Sequence, residues 1–571
     1  MGMAGSTPAH APAARGAWCA VGLALVLLAA YWPAFAAGYL QDDYVLLAAV
    51  RLLDDPGRLF LQDSMPGGGG FYFRPLTLGV WWLLAHLCGA SPLAQYACNF
   101  ALHAAVCALL YLLLRGWRLR AVACAAAVAL YALHPIGLGT ALWLSDRFDL
   151  LAATLGLATL LAVQRHVAGG GWRALALALP LLLGALLAKE IGLVFAPLAV
   201  LICAGAAGTN GRRRAVGVAA LAGVVLLWWL WRAEVLPPDR VHTLYTPAAL
   251  PRLMAQGLGK YAQGLLLQAG FGARLPTAAR LGCGVLALTA LLGLLASPRR
   301  LVDRLSRQRI AIAVALGLVA LPALVQAPGL DAMRFGLARR MDAFEVVYQM
   351  RFFYVGALGL AALLALLWDA APDASLRARA GAAACAALVL VYAVQSRQLA
   401  TQFRDLADGP TRQLAVAAAA AAARIVPDPD QPCHVFLLDV DDPYRAFPGF
   451  TDSVVKALLP EPRRWFACTY QTDAAPWFHN LPAALPGART APLPPLRENG
   501  RPVRPLRLGG LEFRYFNLGP WLDAATLPGA HYLAWDGETF RDVTAAVREG
   551  RRRVVFHCAR PAAQCAAAEA H

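Results

Sequence analysis

Residues 96–133 read YACNFALHAAVCALLYLLLRGWRLRAVACAAAVALYAL. Two runs without Asp, Glu, Lys or Arg, Tyr96–Leu114 and Ala121–Leu133, flank a short loop carrying Arg115, Arg118 and Arg120. About 20 mostly apolar residues cross a bilayer as a helix. Lysine and arginine gather in the short loops that stay on the cytoplasmic side. The stretch therefore reads as two membrane spans joined by a cytoplasmic turn.

The pattern extends in both directions. The chain is 59% hydrophobic and only 15% charged, with a mean hydropathy of +0.53. Soluble domains carry roughly 25% charged residues. Four more basic loops follow, at Arg165 and Arg173, at Arg212, Arg213 and Arg214, at Arg299–Arg309, and at Arg377 and Arg379. The net charge of +17 is thus explained by topology, and its placement argues against a nucleic-acid partner.

Starting with residues 1–16 in the cytoplasm, the expected spans are Ala17–Phe35, Tyr96–Leu114, Ala121–Leu133, Phe148–Val163, Leu175–Leu187, Ile191–Ala206, Val216–Trp231, Leu281–Leu295, Ile310–Val325, Phe352–Trp368 and Gly381–Val394. These eleven helices form an all-α polytopic bundle over residues 17–396, with outer loops at 37–95, 134–147, 232–280 and 328–350. All five basic loops fall on one side only if the apolar segment Pro75–Cys88 does not span. It then lies at the outer face as an interfacial or re-entrant helix, and twelve spans is the alternative. Trp81, Trp82 and His86 suit an interface. Ala34-Phe35-Ala36 resembles a signal-peptidase site, so the first run has a signal peptide as its rival reading.

From Arg397 to His571 the composition becomes ordinary. This tail reads as a mixed α/β extracytoplasmic domain, with a helix at Thr411–Ile425 and strands at Val435–Val440, Leu511–Phe516, Tyr532–Trp535 and Arg553–His557. Four of the 12 cysteines, Cys433, Cys468, Cys558 and Cys565, lie in it, and they allow three pairings. No CxxC or His/Cys metal spacing occurs.

Ionisable residues near apolar spans are costly and point to function. On this topology they collect at the outer face. The first outer loop opens Gln41-Asp42-Asp43-Tyr44 and later carries Tyr72-Phe73-Arg74-Pro75. Asn99 and His103 share a helix face. His134-Pro135, Asp146, Arg147 and Asp149 follow, then Lys189-Glu190 inside an apolar run, then Arg351 before Tyr354. Each has a bland reading as a cap, a snorkelling cation or a local ion pair. Together they supply a carboxylate to deprotonate a hydroxyl and cations to receive a phosphate leaving group.

The order of these motifs resembles GT-C glycosyltransferases, and within them the transmembrane O-mannosyltransferases whose eukaryotic members carry tetratricopeptide tails. The likeness rests on the Asp-Asp pair, Phe73-Arg74-Pro75-Leu76, Asn99-Phe100-Ala101-Leu102-His103-Ala104, His134-Pro135, Trp143, Arg147-x-Asp149-Leu150-Leu151, Lys189-Glu190-x-Gly192 and Arg351-x-x-Tyr354-x-x-x-Leu358-Gly359. It covers about Tyr39–Gly359. The resemblance implies a GT-C fold and inverting transfer of a sugar, mannose in the group it resembles, from a polyprenyl- or dolichyl-phosphate donor to a protein or glycan acceptor on the outer face. By position, Asp42 or Asp43 would be the catalytic carboxylate. Arg74, Arg147, Lys189 and Arg351 would bind the donor phosphate or brace it, supported by His103, His134, Asp149, Glu190 and Tyr354. Asp146 and Met350 depart from the pattern, and the tetratricopeptide tail is replaced by the mixed domain. Some members of the wider class use a divalent cation, Mg or Mn, which no residue here demands. The expected setting is a bacterial inner membrane with the tail in the periplasm. A transporter of lipid-linked sugars and a non-catalytic scaffold are the competing classes. The transporter would need polar residues at mid-membrane, whereas these sit at span ends.

Overall fold

The structure is a computed structural model of the chain. It describes residues 11–51, 53, 55–61, 72–206, 210–236, 250–271, 308–330, 343–370 and 376–426, and in the tail 433–440, 453–460, 468–472, 477–480, 529–554 and short segments between 497 and 526. The expected span Leu281–Leu295 lies outside these residues, as does most of the Arg299–Arg309 loop.

The first part is a helical bundle. In chain order the helices are α1 (Ala11–Tyr31), α2 (Asp42–Arg51), α3 (Pro75–Cys88), α4 (Pro92–Gly116), α5 (Ala121–Leu133), α6 (Pro135–Leu142), α7 (Arg147–Arg165), α8 (Gly171–Ala188), α9 (Phe195–Gly205), α10 (Gly211–Val235), α11 (Leu250–Phe271), α12 (Arg309–Leu330), α13 (Ala343–Met350), α14 (Tyr354–Ala370), α15 (Leu376–Ala407) and α16 (Pro410–Ala422). Five of the described helical stretches are long and apolar enough to cross a membrane, or six if the bent pair α5–α6 counts as one. One of the five, residues 144–188, breaks into α7 and α8, which pack along each other as a hairpin. Gly169 and Gly171 make that turn with φ of 108° and 68°, values that glycine adopts without a Cβ clash.

Helix α3 has 14 residues. At about 1.5 Å per residue it reaches roughly 21 Å, short of a hydrocarbon core about 30 Å thick. Pro75 starts it and Gly89, with φ 63°, ends it. It packs on α2 and α8, and Thr77 Oγ1 donates to the Ala188 carbonyl at the end of α8. Helix α5 is likewise short, and Pro135 bends the chain by 48° into α6. His134 takes the extended conformation that a residue before proline prefers.

Two expected loops contain helices. Within 232–280 lies α11, which packs against α12. Gln256, Lys260, Gln263 and Gln268 hide it from a hydropathy reading. Its helical period still buries Tyr261 and Leu265, and at Gly264 the ring of Phe353 fills the space a Cβ would take. Within 328–350 lies α13, against α6. Helix α15 is 32 residues long and continues past the expected span into the tail.

The tail holds a four-stranded sheet. Its order is Cys468–Thr472, Cys433–Leu438, Ala530–Trp535, Phe540–Asp542, with the first three strands parallel and the last antiparallel. A disulfide joins Cys433 to Cys468, which face each other in register. The expected strand at Leu511–Phe516 is present as Leu511–Asn517. The one at Arg553–His557 lies mostly outside the described residues. The tail grips the first outer loop: Arg51 at the end of α2 donates to the Ala457 carbonyl, and Gly38 packs against the Ala407 carbonyl.

Cys88, at the end of α3, is exposed. With the other free cysteines replaced, a membrane-impermeant maleimide should label it from the outer side of intact cells. Labelling only from the cytoplasmic side would show that α3 spans.

Candidate active site

The candidate residues sit where helices end. Asp42 and Asp43 open α2. Arg74 immediately precedes α3, and Asp149 lies in the first turn of α7. Lys189 and Glu190 fill the break between α8 and the 3-10 turn leading to α9. Arg351 is the first residue of the 3-10 turn leading to α14. At helix ends the chain has backbone groups to satisfy and can turn polar side chains inward.

Three ion pairs link these segments. Arg74 holds Glu190, with Nε 2.9 Å and Nη2 2.7 Å from Oε2. Lys189 Nζ holds Asp149 Oδ2. Arg351 Nη1 lies 3.4 Å from Asp146 Oδ1. The pairs form one field: Arg351 is in electrostatic reach of Asp42, Asp146 and Asp149, and Lys189 of Arg74 and Arg351. Aromatic rings frame the cations. Arg351 lies 4.1 Å from the Tyr348 ring centre and 4.8 Å from that of Trp143, and Arg74 lies 4.2 Å from that of Tyr72. Cations over ring faces are attracted by the ring quadrupole.

The adjacent aspartates have different environments. Asp43 is fully buried. Its Oδ2 accepts from Leu40 N at 3.0 Å, and its Oδ1 from Ser145 N at 2.8 Å and Ser145 Oγ at 2.6 Å. It ties the first outer loop to the turn before α7. Asp42 is partly exposed, and its carboxylate has no partner among the described residues. Burial raises its pKa while Arg351 opposes the rise.

Arg147 is 0% exposed and turned away from the ion pairs. Nε donates to Asn99 Oδ1 at 2.8 Å, Nη1 to Gln95 Oε1 at 2.6 Å and Nη2 to the Gln95 carbonyl at 2.9 Å, while the guanidinium stands 4.6 Å from the Trp81 ring centre. His103 lies deeper. Its Nδ1 is 3.1 Å from the Tyr354 hydroxyl and its Nε2 3.0 Å from the Ala132 carbonyl, so it fixes the start of α14 just after Arg351. The His134 Nδ1 accepts from Ile136 N and caps α6, and the ring meets Tyr392 edge-on.

The structure thus brings Asp42, Arg74, Lys189, Arg351, Asp149 and Glu190 into one cluster and places Arg147, His103 and His134 in its frame. The sequence placed Asp146 among the outer-face ionisable residues but gave it no role, and it gave none to Ser145, Gln95 and Tyr348. The i, i+3 spacing of Asp146 and Asp149 was the available signal for the first. Among the described residues no three His, Cys, Asp or Glu side chains are grouped to hold a metal ion.

No protein-family model and no curated protein matches the chain. Solved structures with a similar course exist. The Archaeoglobus fulgidus oligosaccharyltransferase, in complex with Zn and sulfate, shares 12% identity at a TM-score of 0.44, over 76% of this chain and 61% of that one. The same organism's oligosaccharyltransferase AglB, with an inhibitory peptide and a dolichol-phosphate, shares 13% at 0.43, over 77% and 63%. ArnT from Cupriavidus metallidurans bound to undecaprenyl phosphate shares 13% at 0.34, over 80% and 90%. The chain spans about three fifths of the length of the archaeal enzyme.

Burial lifts the Asp43 carboxyl from 3.8 to about 7, against the hydrogen bonds from Ser145 and Leu40 that lower it. The folded state therefore holds this proton more tightly than the unfolded chain. The group's contribution to stability is full below the unfolded pKa and is lost as pH rises to about 7. Melting of the detergent-solubilised protein should show this fall between mildly acidic and neutral pH, and Asp43→Asn should flatten it. An unchanged pH profile in that variant would contradict the assignment.

Proposed function

We propose that this chain is an integral-membrane glycosyltransferase of GT-C type. It moves a sugar from a polyprenyl- or dolichyl-phosphate donor to a hydroxyl of a protein or glycan acceptor at the outer face. Mannose is the sugar that the motif resemblance implies, and the bacterial inner membrane with a periplasmic tail is the setting that the topology favours. One observation carries the reading: the carboxylate of Asp42, partly exposed and without a hydrogen-bond partner among the described residues, lies in electrostatic reach of Arg351, in a cluster with Lys189 and Arg74 drawn from separate helix ends. The likenesses to solved structures are too distant to add weight. The Cys433–Cys468 disulfide agrees with a tail on the oxidising side.

In this reading Asp42 takes the proton of the acceptor hydroxyl as that oxygen bonds to the anomeric carbon. The bond from that carbon to the phosphate oxygen breaks, and its electron pair stays on the phosphate. Configuration inverts because attack and departure are on opposite faces of the sugar. Arg351, Lys189 and Arg74 stabilise the charge that grows on the phosphate oxygens. Asp43 and Arg147 hold the loop and α4 in place and touch no substrate. His103 and Tyr354 set the position of Arg351. Glu190 and Asp149 orient Arg74 and Lys189.

Asp42→Asn should lower transfer by about 10²–10⁴-fold, the usual worth of a general base, while insertion and melting stay normal. The double variant with Asp43→Asn should lose transfer altogether. Full activity in the double variant would sink the mechanism.

A further inference from the structure

Each carboxylate of the three ion pairs spends one oxygen on its cation. The other, Asp146 Oδ2, Asp149 Oδ1 or Glu190 Oε1, is buried and has no hydrogen-bond partner among the described residues. Asp146 and Asp149 are each 1% exposed.

The chemistry of a ligand group that would bond these oxygens is constrained. A phosphate oxygen only accepts, and it would serve Asp146 only while that residue is protonated. An ammonium only donates, and it would serve Asp146 only while that residue is ionised. A hydroxyl donates to a carboxylate and accepts from a carboxylic acid, so it serves either state. Asp146 stands one turn before Asp149 on the same side of the chain, and it contacts Arg351, whose charge also reaches Asp42. Asp146 is thus tied to the cation whose charge also reaches Asp42 and Asp149.

Resting on the glycosyltransferase reading, we infer that Asp146 is a specificity-determining residue whose Oδ2 hydrogen-bonds a ring hydroxyl of the transferred sugar. Its Oδ1 steadies Arg351 against the donor phosphate, so one side chain reads the sugar and sets the phosphate clamp. Asp149 Oδ1 offers a neighbouring site for a second hydroxyl. A donor sugar with adjacent free hydroxyls fits the pair.

The test uses a panel of polyprenyl-phosphate hexoses and pentoses with the monodeoxy analogues of each. Binding is read by tryptophan fluorescence and transfer by kcat/KM, with the full-length protein in detergent or membranes. The unmodified protein should lose about 10–100-fold for the analogue lacking the hydroxyl that Asp146 reads, the worth of one hydrogen bond to a charged group. Asp146→Ala should abolish that discrimination and leave the penalties at other ring positions unchanged. Should the alanine variant fail to fold, Asp146→Asn, which keeps the shape, should reduce the discrimination at that same position. Equal penalties at every position in the unmodified protein and in a folded variant would overturn the inference. Position-dependent binding without transfer of any sugar would keep it and overturn the transferase reading instead.

Discussion

The fan of hydrogen bonds at Asp43 sets the geometry on which the rest depends. A single buried carboxylate collects Leu40 N, Ser145 N and Ser145 Oγ. Those groups lie about a hundred residues apart in the chain, so α2 is locked against the turn that starts α7. The lock has two consequences. Asp42, the next residue back, is held at the start of α2 with its carboxylate still available. Asp146 and Asp149, on the far side of Ser145, are brought to face Arg351 and Lys189. Truncating the lock would strand three donors, at roughly 1–3 kcal/mol for each buried group left unsatisfied. A loop cannot hold a carboxylate in register without such a constraint.

A second layer of polar packing supports the first. Arg147 is buried against the Gln95 and Asn99 side chains, the Gln95 carbonyl and the Trp81 ring, and Asn99 Nδ2 in turn donates to the Ala141 and Trp143 carbonyls. Tyr31 Oη donates to the Ala141 carbonyl, and Tyr96 Oη to that of Gly38. The ends of α1, α4, α6 and α7 that meet here are thereby stapled through side chain to backbone bonds. The Ala141 carbonyl, in the last turn of α6, is one of the groups that a helix end leaves open. The cost of burying so many polar groups is offset only when each finds a partner. Among the described residues the buried atoms left without a partner include three carboxylate oxygens and Arg351 Nε in the cluster, and Gln95 Nε2 and Trp81 Nε1 in its frame.

Much of the bundle was legible because lipid leaves few choices: apolar runs must form helices, and arginines mark the turns. The runs Tyr96–Leu114 and Val216–Trp231 appear within α4 and α10. Helix α11 was not legible, since its glutamines and lysine dilute an amphipathic period that only Phe353 and α12 make meaningful. In the site, the residue types were readable but their pairing was not. Arg74 finds Glu190 across 116 positions and Arg351 finds Asp146 across 205. Nothing in Asp42-Asp43 told which carboxylate would turn inward, because at a helix start adjacent side chains diverge by about 100°. Arg147 looked like a phosphate ligand beside Asp149, and only the placement of Gln95 and Asn99 shows where its fork goes. The disulfide chose one of three pairings through strand register, which spacing does not reveal.

The central claim is that this outer-face cluster transfers sugar from a lipid phosphate. Its most direct test is to supply membranes containing the protein with radiolabelled polyprenyl-phosphate sugars and follow the label. The account predicts that label leaves the lipid and appears on a protein or glycan product, with free polyprenyl phosphate released in step. Label that remains on the lipid with every sugar, or that only crosses the bilayer still attached, would contradict it.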